Sequence, residues 1–309
     1  MKIRAFTLVE MIISIVILGI LSAGTFVSIK HLYLRVAKSK AMSDLSLDSQ
    51  IIVDQISALL YDRVPSSVIG SNDESSNNFN SIYSIDHNFT ILEWIGISTE
   101  ALKVGDYSGF VDLDKSNKNN KTIASYNIKE NDLNTTISNK FNISYNYVSP
   151  NDLNITALIF AGAFDSGLIE DVNTSFGWHK NNHHLIYNIT KIEDDNITLD
   201  VTPNEIYEKY YLVDSAYAIA RGKDINITTC KSGYVKTDLD NNNTLYLFYN
   251  YRPWKNETFC DGNVTILSKE AKAFEVGLIN DSIYFNLTLQ RDIKGSQNSV
   301  SISKQKVVF

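Results

Sequence analysis

The chain has 309 residues, 44% of them hydrophobic and 20% charged, and carries a net charge of −7. That length suffices for one large domain or two small ones. The negative balance, with no basic run or aromatic-basic interleaving, argues against a nucleic-acid-binding surface.

A short basic leader, Met1-Lys2-Ile3-Arg4-Ala5, precedes Phe6-Thr7-Leu8-Val9-Glu10, and an uncharged run then extends from Met11 to Ile29. Nineteen helical residues at ~1.5 Å each reach ~28 Å, close to the ~30 Å hydrocarbon thickness of a bilayer, which predicts a transmembrane segment over about residues 6–29. Glu10 stands at its edge. A carboxylate within a spanning helix costs roughly 2.5 to 3.5 kcal/mol, so an acid kept there calls for a role and a partner. Lys2 and Arg4 before the span predict, by the positive-inside bias, a leader in the cytoplasm and the remainder on the other side of the membrane. A secretory signal cut near Leu21-Ser22-Ala23, or a plain anchor, would explain the apolar run but neither Glu10 nor the Phe-Thr-Leu sequence.

Past the span, Leu45, Ile52, Ile56 and Leu59 recur at helical spacing, with Met42, Ile51 and Leu60 widening the stripe. Pro65 and the serines after it predict a stop near Asp62 to Val64. The helix over 6–64 is thus apolar all round in its first half and amphipathic in its second, suited to docking under a folded domain. Residues 65–80, Ser- and Asn-rich from Val68 to Asn80, read as a loop or linker. The rest, 81–309, reads as an antiparallel β-rich head. Candidate strands are Thr90 to Ile97, Phe141 to Val148, Ile155 to Phe160, His184 to Ile192, Ile197 to Val201, Tyr210 to Ala220, Leu245 to Tyr251, Val264 to Leu267, Tyr284 to Gln290 and Ser299 to Val308. Ala271 to Val276 fits a strand or a short helix, and Lys115 to Lys121 a polar loop tip. The expected fold class is α+β, with no internal repeat.

Chemistry-bearing residues are sparse in the head. Cys230 and Cys260 flank the Leu245 to Tyr251 strand, and in an oxidising compartment a disulfide between them is the natural inference, two separate buried thiols being the alternative. Closing that loop stabilises by up to about 3.7 kcal/mol. His179 and His183 could chelate a metal only on a helix, and Asn181 and Asn182 between them favour a solvated turn instead. Asp112-x-Asp114-x-Ser116 and Asp238-x-Asp240-x-Asn242 offer oxygens at alternate positions, a faint calcium pattern, but Asx-turns account for them without a cation. No other cofactor is expected. With no nucleophile elbow, Walker loop or dinucleotide fingerprint, neither is an enzyme.

Phe6-Thr7-Leu8-Val9-Glu10 after a basic leader resembles the N-terminus of type IV pilins and type II secretion pseudopilins, whose leader is cut before a Phe followed by Thr-Leu-x-Glu. The resemblance implies cleavage between Ala5 and Phe6 and N-methylation of the Phe6 amine, although Ala5 stands where the family usually has Gly. It also implies that Glu10 meets the Phe6 ammonium of a neighbouring subunit, inside an apolar bundle where an unpaired charge costs roughly 3 to 5 kcal/mol. The implied partners are other pilin or pseudopilin subunits, a prepilin peptidase/methylase and an inner-membrane assembly platform. The implied location is the bacterial inner membrane, single pass, with the head in the periplasm and later on a filament or the cell surface. The run from Ile266-Leu267 through Ala273-Phe274-Glu275-Val276 to Tyr284-Phe285-Asn286-Leu287-Thr288-Leu289 is similar to the terminal strands of large minor subunits such as the J-type pseudopilin. That likeness and the head size imply a minor subunit that initiates or caps a filament. The alternative is a filament-tip adhesin or binding module anchored by a pilin helix.

The chain holds 14 Asn-x-Ser/Thr triplets, whereas random placement of the same residues gives about 5. Eight carry Asp two residues before the Asn: Asn88, Asn134, Asn154, Asn173, Asn196, Asn226, Asn242 and Asn263. Asp-x-Asn-x-Ser/Thr resembles the extended acceptor of bacterial oligosaccharyltransferases, and these positions fall at predicted strand ends and turns, where a glycan is tolerated. Turn chemistry alone also generates the pattern. The intact mass of protein from a host with such a transferase should exceed that of the chain by one or more glycans; a mass equal to the bare chain would leave only the turn explanation.

Overall fold

The structure, a computed structural model, describes residues 7–72, 79–83, 88–99, 108–129, 155–165, 172–193, 195–226, 242–295 and 298–309. Its first element is the helix α1, Leu8–Tyr61, of 54 residues. Leu, Ile and Ser dominate, no proline interrupts, and the chain turns at Asp62 ahead of Pro65, whose ring disfavours helix in the residue before it. From Leu8 to Lys40 no residue is fully buried, although Leu34 and Ala37 pack half-buried against the core that follows, and the first buried residue is Ala41. Beyond it Leu45, Ser49, Ile52, Val53, Ile56 and Leu60 form one buried stripe, as spacings of three and four dictate. Leu59 packs at its margin, whereas Met42 and Ile51, expected to widen the stripe, face outward. Val53 takes that place.

The stripe lies on an antiparallel three-stranded sheet formed by β12 (Ala271–Ile279), β13 (Ser282–Asp292) and β14 (Ser299–Val308). Alternation along β13 sends Ile283, Phe285, Leu287 and Leu289 into a shared core with Leu45, Ile52, Ile56 and Leu60. Burying each such side chain is worth about 1.5 to 3 kcal/mol. Polar contacts fix the register beside this core: Arg291 reaches Glu270 at 2.6 Å, Asp44 at 3.4 Å and Asp48 at 3.5 Å, and Lys304 donates to Gln50 at 2.8 Å. These groups are partly solvated, so they orient the helix more than they stabilise it.

The second sheet has eleven strands, all of whose pairings among the described residues are antiparallel. Its centre is β9 (Tyr210–Arg221), which pairs β3 (Ile91–Ile97), β6 (Ala157–Phe160) and β10 (Leu245–Tyr251). Outward from these lie β1 (Ile69–Ser71) and β2 (Phe79–Ser81) beyond β3, β11 (Asn263–Ser268) beyond β10, and β7 (Tyr187–Glu193), β8 (Asn196–Leu199), β5 (Thr122–Ala124) and β4 (Asp112–Asn117) beyond β6. The period of two splits β3 between two cores: Leu92 and Trp94 face the helix side, while Ile91 and Ile95 face the aromatic side with Phe248, Tyr251 and Trp254. Ala216, Ala218 and Ala220 of β9 line that aromatic side, where their small size leaves room for the rings.

Most candidate strands are strands within a few residues of their expected ends, and 271–276 is strand rather than helix. Phe141 to Val148 lies outside the described residues. Two expectations need correcting. The stretch expected as a loop holds β1 and most of β2, which complete the sheet edge beyond β3; strands of three residues are too short to show alternation. The Lys115 to Lys121 run is strand as far as Asn117, and only its end forms the β4–β5 hairpin tip.

Ile56→Ala should destabilise the head by about 2 to 5 kcal/mol in denaturant unfolding of the detergent-solubilised chain, because the site is enclosed. Ile51→Ala, on the exposed side, should change it by less than about 1 kcal/mol.

Candidate functional site

The N-terminus of α1 is closed by its own motif. Thr7 is the N-cap: its hydroxyl accepts from the Glu10 backbone N–H at 3.4 Å, and the Glu10 carboxylate accepts from the Thr7 N–H and hydroxyl at 2.9 Å each. This is a capping box, a Thr followed three residues later by a Glu. The spacing was legible in Thr7-Leu8-Val9-Glu10, yet sequence reasoning assigned Glu10 an intermolecular role only and gave Thr7 none. Both carboxylate contacts fall on Oε2, and Oε1 has no hydrogen bond among the described residues. Ala5 and Phe6 lie outside them.

Around and beyond Glu10 the helix presents Leu8, Val9, Met11, Ile12, Ile13, Ile15 and the apolar residues up to Ile29 to its surroundings on every side. It is long and apolar enough to cross a membrane. The hydroxyls in this stretch are satisfied within the helix: Ser14 donates to the Glu10 carbonyl at 2.7 Å, Ser22 to Leu18 at 2.6 Å, Thr25 to Ser22 at 2.9 Å and Ser28 to Gly24 at 3.0 Å. In hydrocarbon such groups find no water, so internal bonding makes these residues compatible with a span.

The other expected site residues lie far apart in the head. Asn88, Asn226, Asn242 and Asn263 are exposed, Asn173 and Asn196 are half-buried, and Asn134 and Asn154 lie outside the described residues. Asn88 accepts a hydrogen bond from the Tyr284 hydroxyl. Cys260 packs half-buried against the aromatic core; Cys230 lies outside the described residues, as do Asp238 and Asp240. Asp112 pairs with Lys115 at 2.9 Å, and no cluster of His, Cys, Asp and Glu with a metal-binding arrangement occurs among the described residues.

His179 is the clear correction. Expected on a solvated turn, it is buried on a 3₁₀ turn, Trp178–Lys180, with φ of 51°, so it shares no helix face with His183. Gly177 before it has φ of 80°, and a Cβ there would meet the Pro253 and Trp254 backbone at 2.8 Å. The Trp178 indole donates to the Ser67 carbonyl at 3.1 Å, and the His179 ring stacks on Phe79 at 4.8 Å. The imidazole Nε2 meets Glu93 Oε1 at 2.8 Å, and Tyr251 donates to Glu93 Oε2 at 2.9 Å. Glu93 is only 2% exposed. Sequence reasoning missed it, although the signal was present: a lone acid inside the apolar strand Ile91-Leu92-Glu93-Trp94-Ile95 must find a partner.

Burial opposes charge on His179, but the Glu93 carboxylate outweighs it by attraction and hydrogen bonding, holding the imidazole above its usual 6.5. A histidine raised on folding contributes stability that is full below the unfolded value and vanishes as pH rises through the folded one. The loss in unfolding free energy on His179→Gln should therefore be larger at about pH 5.5 than at about pH 8.5; a pH-independent difference would contradict the pairing. Glu93→Gln, which strands the imidazolium and weakens the Tyr251 bond, should cost about 3 to 5 kcal/mol near pH 6.

Compared with known proteins, residues 1–26 match the family model described as the prokaryotic N-terminal methylation motif. No curated protein and no solved structure matches the chain. The motif and the apolar helix behind it support a type IV pilin-like subunit, of a kind that is structural rather than catalytic and is processed by a peptidase.

Proposed function

We propose that the chain is a minor pilin or pseudopilin that initiates or caps a type IV pilus or type II secretion pseudopilus drawn from the inner membrane. The observation that carries this reading is the division of α1. Its first 33 residues, Leu8 to Lys40, include none that is buried, and the helix runs on without a break into the stripe that holds the head. An anchor alone needs only about 20 residues. A rod of this length, entered through a prepilin-type sequence, suits lateral packing against like helices. The separate terminal sheet and the size of the head support a minor subunit similar to the J-type pseudopilin.

In this reading the peptidase cuts between Ala5 and Phe6, Phe6 is N-methylated, and the unengaged Glu10 Oε1 receives the Phe6 ammonium of a neighbour. The periplasmic position of the head rests on the processing motif. Counted over both flanks, the span has Lys2 and Arg4 before it and Lys30, Arg35, Lys38 and Lys40 after it, so the charge rule alone does not assign the side. The Cys230 to Cys260 bond belongs to the same proposal, supported by the finding that Cys260 is not a free thiol.

Terminal peptide mass spectrometry should find a mature chain beginning at N-methyl-Phe6; an intact Met1, or an end near Ala23, would reject the processing. Two substitutions then separate the roles of Glu10. Glu10→Gln keeps an acceptor for the capping box but removes the charge; it and Glu10→Leu should both lower filament number at least about tenfold, because either leaves an ammonium unpaired in the bundle. Wild-type filament numbers with Glu10→Gln would show that capping, not charge pairing, is what Glu10 supplies.

A further inference from the structure

We infer that the first turns of α1 beyond the span, together with Ile293, Lys294, Asn298 and Ser299 beside them, form a docking surface for anionic phospholipid headgroups. Between Glu10 and Asp44 the chain has no acid, yet it places Lys30, Arg35, Lys38 and Lys40 within eleven residues of one another. All four are exposed. None makes an ion pair among the described residues, although acids lie close by in sequence. Asp44 and Asp48 are engaged by Arg291, which also holds Glu270.

This end of the head is shaped as well as charged. His31, Arg35 and Lys38, one helix face at spacings of four and three, form one wall of a groove of about 850 Å³, and Ile293 and Asn298 between β13 and β14, with Ser299 at the start of β14, form the other. Leu34 lies at its base, packed against the helix–sheet core. Lys294 adds a fifth exposed cation beside the groove. Asp292, also exposed, is the one acid bordering these residues in sequence, so a surplus of positive charge remains.

Position selects the occupant. Lys30 directly follows the last apolar residue of the span, Ile29, and Lys40 lies only ~16 Å of helix rise beyond it. The headgroup layer on each side of the hydrocarbon is ~5 to 8 Å thick, and long cationic side chains reach back toward it. Tyr33, 63% exposed, stands where aromatic residues mark the membrane interface. Phosphate-bearing lipids are therefore the nearest partners these cations have before any filament forms. Binding them fixes the depth and tilt of the helix and holds the underside of the head against the bilayer. The inference rests on the membrane span and not on the filament role, so either can fail without the other.

The test uses the full chain in nanodiscs of phosphatidylcholine with a minority of phosphatidylglycerol, with lipids counted per protein after purification. Wild-type protein should enrich phosphatidylglycerol about twofold or more over the bulk ratio at low salt, with the enrichment lost at high salt. The combined variant Lys30→Gln, Arg35→Gln, Lys38→Gln, Lys40→Gln should return to the bulk ratio. A charge-matched control, Lys118→Gln, Lys191→Gln, Lys223→Gln, Lys272→Gln, removes exposed lysines of the head and should behave as wild type. Wild-type enrichment that survives high salt overturns the proposal without reference to any variant. So does equal enrichment in the first variant, or equal loss in the control. If the first variant keeps its lipids but no longer co-assembles with other subunits, the cations serve an acidic protein surface and the lipid assignment is wrong.

Discussion

One unbroken helix must satisfy two solvents, and the rest of the molecule follows from how it does so. From Met11 to Ile29 its side chains are uncharged on every face and its hydroxyls bond back to carbonyls of the preceding turn. From Ala41 to Leu60 one narrow stripe is apolar and buried. No hinge, proline or unwound turn separates the two regimes. Whatever the membrane half is packed against therefore fixes the orientation of the head, because force and position pass along a continuous hydrogen-bonded rod.

That coupling works only if the head grips the second half firmly. The grip is hydrophobic in energy and polar in register. Ile283, Phe285, Leu287 and Leu289 of the terminal sheet meet the stripe, and Trp94 and Ile219 of the larger sheet close the same core from behind. The helix is thus clamped by both sheets. Arg291 and Lys304 select one alignment among the several that a ridge of aliphatic side chains would tolerate. On the far side of the larger sheet, Glu93 with His179 and Tyr251 does a similar service for the loops. A buried carboxylate must be fully paired to be tolerated, so the turn at His179, strand β3 and the end of β10 are held in one arrangement.

The helix and most strands were legible because they obey strong periods: an uncharged run, a stripe at three and four, and alternation of Val, Ile, Tyr and Phe between Asn- and Asp-rich turns. The motif at Phe6 to Glu10 was legible because a carboxylate at the edge of an apolar run demands a reason. What escaped was nonlocal. Val53 displaced Met42 and Ile51 from the stripe through the direction from which the sheets approach, which no periodicity encodes. β1 and β2 are held by pairing with β3 and with each other and have too few residues to show a pattern. His179 sits among Asn181, Asn182 and His183, where polarity suggests solvent; its burial is dictated by Glu93, 86 positions earlier. The lone glutamate in an apolar strand was the available clue, but it could not name its partner.

The central claim, that the second half of α1 is a structural part of the head while the first half is not, is tested most directly by hydrogen exchange along α1. In the detergent-solubilised chain, the amides of residues 45–60 should exchange only by the opening that also releases β13 and β14, at the full unfolding free energy of the head. Those of residues 31–40 should exchange through smaller, local openings. Exchange of 45–60 while β13 and β14 stay protected would contradict the account.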